Sequence, residues 1–279
     1  MAAHDFAQES PLIDAAGVAH ESARAAPRIV SLVPSLTELL CDLGLGTALV
    51  GRTGFCVHPR EVVRTIPKVG GTKSVNLARL RELAPTHIIV NIDENEKATV
   101  DEIARFVPHV IVTHPLHPRD NVHLYGLLGG IFRREAEAAA LVSRFEEAWR
   151  ETTLKASAFA RESVLYLIWK KPWMTVARST YISAMLAAVG WDTVPEAAAA
   201  RYPKVALDEV VAEDVRHILL SSEPYRFRQR DVEELKGLLP PHVTVYLIDA
   251  EMTSWYGSRA IAGLRYLRDL RRRLSVAAS

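Results

Sequence analysis

The feature that most constrains the fold is a helix–turn–strand unit that occurs once in each half of the 279-residue chain. Residues 76–90 (NLARLRELAPTHIIV) align without a gap on residues 206–220 (ALDEVVAEDVRHILL). Leu77 then corresponds to Leu207, and His87 corresponds to His217. A unit that recurs in this way predicts two similar lobes built on the same order of elements.

Short apolar strands alternate with amphipathic helices in both halves of the sequence. Strands are predicted at residues 28–33, 48–50, 87–91, 109–113, 164–169, 217–221 and 243–248. Such alternation is typical of parallel sheets that are covered by helices. We therefore expect an α/β fold of two similar lobes with mainly parallel sheets, and a ligand beyond the carboxyl ends of the strands.

The segment between the two halves, residues 121–160, has no strand pattern. Leucines and aromatic residues recur there at helical spacing, which predicts a helical connector that is broken near Gly129-Gly130. The predicted organisation is an N-terminal arm or short hairpin (1–27), an N-terminal α/β lobe (28–118), the connector (119–161) and a C-terminal α/β lobe (162–279). Two lobes on one stiff spacer would form a ligand cleft between them.

Composition excludes several classes of function. The chain has 34 Lys and Arg against 33 Asp and Glu, so its net charge of +1 provides no attraction to nucleic acid or to an anionic membrane. No apolar run reaches the roughly 20 residues that a membrane helix needs. Met1–Ser10 contains neither Lys nor Arg and no apolar stretch, so we expect no secretory signal and a cytoplasmic location for the chain as written. Cys41 and Cys56 are too few for a disulfide framework, and a bridge between them stays open.

In the first half, polar residues follow the first and third predicted strands. Pro34-Ser35 opens a helix predicted at 38–43, which Ser35 or Thr37 could cap, and its free N–H groups could hold an anion or a carbonyl group. A plain capped helix explains these residues equally well. Gly70-Gly71-Thr72-Lys73 lacks the spacing of a nucleotide-binding P-loop. Asp93-Glu94-Asn95 follows the third strand, either as ligand contacts or as a solvated acidic loop.

In the second half, aromatic residues follow the strands instead. Trp169 and Trp173 flank Lys170-Lys171-Pro172 directly after a strand, and Trp255-Tyr256 follows the last strand. Tryptophan and tyrosine combine an apolar ring with a polar group, which suits them to bind a large flat ligand. Packing between the lobes is the alternative explanation.

Histidine and cysteine residues raise two further hypotheses. Cys56, His58, His114 and His117 could ligate a metal ion, but their spacing does not complete a tetrahedral site, which favours packing or surface roles. An enzyme would need Cys56, His58, His114 and Asp93 to converge within hydrogen-bond reach. The chain contains no G-x-S-x-G, H-E-x-x-H or strand-linked G-x-G-x-x-G motif, which favours binding over catalysis.

Five sequence blocks carry a resemblance to a known family. They are residues 28–38 (RIVSLVPSLTE), 69–77 (VGGTKSVNL), 85–90 (PTHIIV), 206–210 (ALDEV) and 255–259 (WYGSR). In order and spacing they resemble the cobalamin- and ferric-siderophore-type substrate-binding proteins of ABC importers, also called helical-backbone metal receptors. The resemblance extends over about residues 12–274.

The resemblance implies two α/β lobes joined by a long rigid helix, with the ligand held between them. It implies a monomeric, non-enzymatic substrate-binding protein for a metal chelate, such as cobalamin or siderophore-bound iron, with no covalently bound cofactor. Its partners would be that chelate and the permease subunits of an ABC transporter. By position, the ligand-binding residues would be Pro34, Ser35, Thr72, Lys73, Asp93, Glu94, Asn95, Trp169, Trp173, Tyr202, Trp255, Tyr256 and Arg259.

The sequence departs from the family pattern at several points. Transport members present an acidic residue on each lobe to the permease; Asp208 occupies this position in the second lobe, whereas the first lobe has Ala78 followed by Arg79. Thr72 replaces a bulky aromatic residue of cobalamin binders, and the expected export signal or lipid anchor is not recognisable. A cytoplasmic corrinoid or metal-chelate carrier is therefore the alternative, with an α/β enzyme using the same cleft as a further one. If the start site is misassigned, the protein would be periplasmic.

Overall fold

The structure, a computed structural model, describes residues 11–211 and 215–276. These residues form two compact units. The first comprises the described residues up to His114 together with Val122–Val142, and the second comprises Pro115–Asn121 together with the residues from Ser143 onward. Residues 1–10 of the predicted arm and residues 212–214 of the duplicated unit lie outside the described residues.

The first unit is built on a four-stranded sheet in which every strand is parallel to its neighbours, in the order β2-β1-β3-β4. Its strands are β1 (Ile29–Ser31), β2 (Leu49–Arg52), β3 (His87–Asn91) and β4 (His109–Thr113). The helices of this part of the chain are α1 (Pro34–Asp42), α2 (Arg60–Val63), α3 (Leu77–Glu82) and α4 (Lys97–Ile103). Two helices, α5 (Asp120–Phe132) and α6 (Glu135–Ala156), follow and are divided between the two units.

The second unit repeats the arrangement with a parallel sheet in the order β6-β5-β7-β8. Its strands are β5 (Glu162–Leu167), β6 (Trp191–Thr193), β7 (His217–Ser221) and β8 (Thr244–Ile248). Its helices are α7 (Tyr181–Ala187), α8 (Leu207–Val211), α9 (Gln229–Lys236), α10 (Ala250–Ser254) and α11 (Arg259–Val276).

The two sheets confirm the predicted α/β fold of two similar lobes. In each sheet the strand order follows the same path, and the duplicated helix and strand, α3–β3 and α8–β7, occupy the same places. His87 and His217 are the first residues of β3 and β7, and both side chains are buried. The sequence repeat therefore reflects a repeat of structure.

The local sequence explains why these elements form. All five residues of β3 are buried, as expected for a central parallel strand that helices cover on both faces. Asn76 caps α3, since its side-chain oxygen accepts the backbone N–H of Arg79 at 2.9 Å. Leu80 then packs with Val30 and Ile88 in the core of the first unit.

A short hairpin covers the outer edge of β4. Ile13 forms an antiparallel bridge with Ala19, and a turn at Asp14–Gly17 lies between them, within the predicted arm or hairpin. The Asp14 carboxylate accepts the backbone N–H of Val112 at 2.9 Å, so an otherwise unpaired strand edge is satisfied.

Helix α1 corrects the prediction for its start. It begins at Pro34, four residues before the predicted start, and neither Ser35 nor Thr37 caps it. Val33 is the N-cap and makes no side-chain capping bond. Proline suits the first helical position because its fixed φ is helical and its missing N–H would have no helical partner there.

The connector is also interrupted at a different place from the prediction. Helix α5 continues through Gly129 and Gly130, and the break falls after Phe132, where Arg133 has φ +54°. A Cβ on Gly129 would lie 2.5 Å from the Cβ of Ala138. The glycine therefore allows close approach of α6 rather than ending the helix.

Candidate functional site

The first group of predicted residues lies where β1 leads into α1. Ser35 is in the first turn of α1 and is buried, and its Oγ has no hydrogen-bond partner within the described residues. Pro34 beside it is partly exposed. A buried hydroxyl beside the free N–H groups of a helix N-terminus can accept or donate a hydrogen bond to a polar ligand group.

Asn95 connects three segments at the carboxyl end of the first sheet. Its Oδ1 accepts the backbone N–H of Asn91 at 2.9 Å, and its Nδ2 donates to the carbonyl of Thr72 at 2.8 Å. Nδ2 also lies 3.4 Å from the carbonyl oxygen of Leu32. The buried Asn95 side chain therefore holds the Thr72 loop against the ends of β1 and β3.

The Thr72 loop is a tight turn that presents Thr72 and Lys73 at its tip. The backbone N–H of Gly71 donates to the Ser74 carbonyl at 2.9 Å, which closes the turn. Gly70 has φ +110°, and a Cβ there would lie 2.3 Å from the Ser74 carbonyl oxygen, so the turn requires glycine. Thr72 is half-buried and Lys73 is exposed.

Asp93 and His114 meet at the ends of β3 and β4. The Oδ1 of Asp93 lies 3.4 Å from the Nε2 of His114, and both side chains are partly exposed. Glu94, which follows Asp93, is half-buried. This end of the sheet thus combines a carboxylate–imidazole pair with the amide of Asn95.

Three exposed apolar side chains at this end of the sheet were missed by sequence reasoning. Phe55 is 63% exposed, Val57 46% and Ile92 49%, and they follow β2 and β3. Large apolar side chains that are exposed at the strand ends are candidates for ligand contacts. Each stands alone in a loop without periodicity, so the sequence holds no pattern that could have identified them.

The predicted metal candidates are not brought together. Cys56 is buried, with the Oγ1 atoms of Thr37 and Thr53 at 3.0 and 3.2 Å from its sulfur, and burial raises the pKa of its thiol. His117 belongs to the second unit, where its ring packs edge-on against Trp149. Over residues 11–211 and 215–276, no three His, Cys, Asp or Glu side chains form a group that could hold a metal ion. Cys41 and Cys56 are both free thiols.

In the second unit, the segment after β5 carries the aromatic residues. Trp169 pairs with Met174 through an antiparallel bridge, so residues 169–174 form a small loop. The Trp169 ring is 41% exposed and packs edge-on against Tyr225 at 5.7 Å, while Trp173 stacks on Phe227 at 6.2 Å. Tyr202 is also 39% exposed. Of these aromatic side chains, Trp169 and Tyr202 are the exposed ones.

The helix that follows β8 places the other predicted residues. Trp255 is mostly buried, and its Nε1 donates to Oε1 of Glu223 at 2.9 Å. The Arg259 guanidinium lies 5.1 Å from the Trp255 ring and 3.2 Å from Glu251. Burial raises the pKa of Glu223, and its bond from Trp255 offsets part of that rise. Glu223 was missed by sequence reasoning because it becomes part of the cluster only through the fold.

The Tyr256 side chain packs against another aromatic ring of the second unit. It is mostly buried, and its ring packs edge-on against Tyr181 at 5.8 Å.

Asp208, the predicted permease-docking residue, is exposed in the first turn of α8, at the position that Ala78 occupies in α3.

A surface pocket of about 290 Å³ lies away from these residues. It is at the amino-terminal end of β8 and is lined by Lys236, Pro240, Pro241 and Val243–Tyr246. None of the predicted ligand-binding residues lines it.

In the part of the chain that the structure describes, no helix is long and apolar enough to cross a membrane.

Comparisons with known proteins agree with this fold. The family model described as "Periplasmic binding protein" matches residues 29–237. The vitamin B12-binding protein of Vibrio parahaemolyticus is 25% identical over 186 residues, which is 66% of this chain and 66% of that protein. The chain thus matches just under two thirds of the length of that curated relative.

Two solved structures share the fold at lower identity. The periplasmic vitamin B12 binding protein BtuF of Vibrio cholerae has a TM-score of 0.75 and 16% identity, over 88% of this chain and 96% of that one. The periplasmic heme-binding protein RhuT from Roseiflexus sp. RS-1 has a TM-score of 0.73 and 20% identity, over 91% and 100% of the two chains. At these identities the likeness concerns the fold.

Proposed function

Because this chain belongs to the periplasmic binding protein family, we propose that it is the substrate-binding protein of an ABC-type uptake system for a metal chelate. Cobalamin, haem and siderophore-bound iron are the ligands to test first, since the similar proteins are described as binding vitamin B12 or heme. The proposal assigns the chain binding and delivery rather than catalysis.

The observation that carries the proposal is the exposure of large apolar side chains at the carboxyl ends of both sheets. Phe55, Val57 and Ile92 occupy this place in the first unit, and Trp169 and Tyr202 in the second. A macrocyclic chelate has broad apolar faces that such side chains can cover. Trp169 is 41% exposed, so burying the rest of its ring, on the order of 100 Å², would contribute about 2 kcal/mol.

The polar residues at the same ends would fix the orientation of the ligand. We assign this role to Ser35 and the Thr72-Lys73 turn in the first unit, and to Arg259 in the second. Arg259 could pair with a carboxylate, amide or phosphate of the chelate, because its guanidinium is already held beside Trp255. The remaining predicted residues, Pro34, Asp93, Glu94, Asn95, Trp173, Trp255 and Tyr256, would contact the ligand or support those that do.

Thermal unfolding with a panel of ligands tests the proposal. The panel contains cyanocobalamin, dicyanocobinamide, haemin, a ferric hydroxamate and zinc chloride alone. A ligand present at 100 times its dissociation constant stabilises the folded state by about 2.7 kcal/mol, which raises the unfolding midpoint by several degrees. We expect a shift with one chelate and none with zinc.

Two matched substitutions localise the effect. Trp169→Ala should weaken binding of that chelate about 30-fold, the equivalent of the 2 kcal/mol above. Leu238→Ala removes a side chain that is 74% exposed but lies between α9 and the amino-terminal end of β8, away from the carboxyl ends of the strands, and should leave binding unchanged. No shift with any chelate, or equal losses in both variants, would contradict the proposal.

The proposal also implies a location and a partner. The similar structures are described as periplasmic, and the cytoplasmic expectation from Met1–Ser10 finds no support among them. An uptake role requires the periplasmic side, which fractionation of cells that express the full gene would test. Asp208, exposed on α8, is the residue we assign to permease docking.

A further inference from the structure

Lys170 makes ionic contacts that the proposed ligand-binding role does not use. Its Nζ donates to Oδ1 of Asp231 at 2.7 Å and to Oε2 of Glu234 at 2.7 Å. Both carboxylates belong to α9, whereas Lys170 lies in the loop after β5, between Trp169 and Trp173. The contacts therefore attach the aromatic loop to a helix more than 60 residues away in sequence.

The environment of the pair distinguishes it from an ordinary surface ion pair. The side chains of Lys170 and Asp231 are only 11% and 2% exposed. The other oxygen of Asp231 accepts the backbone N–H of Arg228 at 2.9 Å, so the carboxylate is held by the N-terminus of α9. The ammonium also lies 5.7 Å from the centre of the Trp173 ring. The carboxylate that holds Lys170 is thus itself fixed in position, and the two ion pairs join the loop to α9.

The ends of this loop are held by the packing of Trp169 and Trp173 and by the N–H of Val205, which donates to the Trp173 carbonyl at 3.0 Å. Two backbone hydrogen bonds close the loop. The N–H of Met174 donates to the Trp169 carbonyl at 3.2 Å, and the N–H of Ile168 donates to the Met174 carbonyl at 2.9 Å. Lys171 at the tip has φ +62°, a conformation that costs a non-glycine residue free energy. A side-chain anchor next to that residue compensates by fixing the loop from outside.

We propose that Lys170 is a positioning residue for ligand binding: its ion pairs with Asp231 and Glu234 hold the 169–174 loop so that Trp169 keeps a fixed, exposed orientation. The inference rests on the proposed chelate-binding function for its effect on affinity. A ring that is already ordered loses little conformational entropy when a ligand covers it. Releasing the loop would therefore weaken binding although no atom of Lys170 touches the ligand.

Loss of Lys170 could weaken binding through a general loss of folding stability, and the experiment has to distinguish this effect from loss of the loop's anchor. Removing one partner of a buried ion pair leaves the other charge buried and unpaired, which destabilises the whole unit. Lys170→Met does this, because methionine keeps much of the side-chain length but carries no charge. The double variant Lys170→Met/Asp231→Asn removes both charges of the buried Lys170–Asp231 pair and leaves only the half-exposed Glu234 without its lysine. The asparagine oxygen can still accept the N–H of Arg228. The double variant should regain stability without regaining the anchor.

The measurements are hydrogen–deuterium exchange of the peptide that covers residues 168–175, and the dissociation constant for cyanocobalamin and haemin. Lys97→Met is the matched control, since it removes an exposed Lys97–Asp101 pair of the same 2.7 Å length in the first unit. In both Lys170 variants we expect faster exchange of the Met174 amide and about tenfold weaker binding of whichever chelate the wild type binds. In Lys97→Met both quantities should equal those of the wild type.

The outcomes separate the inference from the proposed function. Unchanged exchange in the loop of the double variant would overturn the anchoring role. Faster exchange with wild-type affinity would overturn the effect on binding. If the wild type binds neither chelate, the first two ligands of the proposed function fail, and the exchange rates still decide whether Lys170 holds the loop.

Discussion

Replacing Asn95 by alanine should destabilise the first unit by about 3 kcal/mol. The substitution removes the acceptor of the Asn91 N–H, and an unsatisfied buried donor costs about 1–3 kcal/mol. It also removes the donor to the Thr72 carbonyl, which is half-buried and can regain water, so that this loss is nearer 1 kcal/mol. The bond to Leu32 at 3.4 Å is long and adds little.

Thermal unfolding of purified variants measures the effect, which corresponds to a fall in the midpoint of roughly 5–10 °C. Asn76→Ala is the matched control, because it also truncates an asparagine that accepts a backbone N–H, but at the exposed N-cap of α3. Loss of that cap should cost about 1 kcal/mol. If Asn95→Ala costs no more than Asn76→Ala, the argument that Asn95 connects the strand ends is wrong.

Three further predictions concern other parts of the chain. Gly129→Ala places a Cβ 2.5 Å from that of Ala138 and should destabilise the protein by about 1–3 kcal/mol in urea unfolding, whereas Gly126→Ala in the same helix meets no atom within 4 Å and should not. Burial, with a smaller effect of neighbouring histidines, lowers the pKa of His87 to about 4, so the folded state disfavours protonation of this side chain. The free energy of unfolding should therefore fall as the pH drops from about 6.5 towards 4, and His87→Leu should flatten that part of the stability–pH profile. Asp208→Lys should leave chelate affinity unchanged but reduce ligand-stimulated ATP hydrolysis by the cognate transporter, and an unchanged ATPase rate would remove Asp208 from docking.

The strands were the most predictable elements of the fold. The predicted bounds of three strands, 87–91, 109–113 and 217–221, coincide with β3, β4 and β7. Strands that helices cover on both faces are continuous apolar runs, so polar residues and proline mark their ends in the sequence. The duplication could also be predicted, because the apolar runs of β3 and β7 align with each other in the sequence.

Short elements and helix ends were less predictable. Strand β6 has three residues and α10 has five, which is too short for a periodic pattern to develop. The start of α1 has no side-chain cap, so the usual sequence mark of a helix start is missing at Val33.

The sequence predicts a place for the candidate site, but it does not show which side chains are exposed there. The rule that ligands bind beyond the carboxyl ends of parallel strands indicated which loops to inspect, and the exposed Trp169 lies in one of them. Exposure is a property of the tertiary structure, and it distinguishes residues that look alike in the sequence. Phe55 and Trp255 are both aromatic residues in loops, yet the first is 63% exposed and the second 8%.

The most direct test of chelate binding at the strand ends is the quenching of tryptophan fluorescence by cyanocobalamin, dicyanocobinamide and haemin. These chelates absorb where tryptophan emits, so one that binds beside Trp169 must quench its emission. We expect saturable quenching with one chelate molecule per chain, and a much weaker affinity in Trp169→Ala but not in Leu238→Ala. Quenching that never saturates with any of the three chelates, or an affinity that Trp169→Ala leaves unchanged, would contradict it.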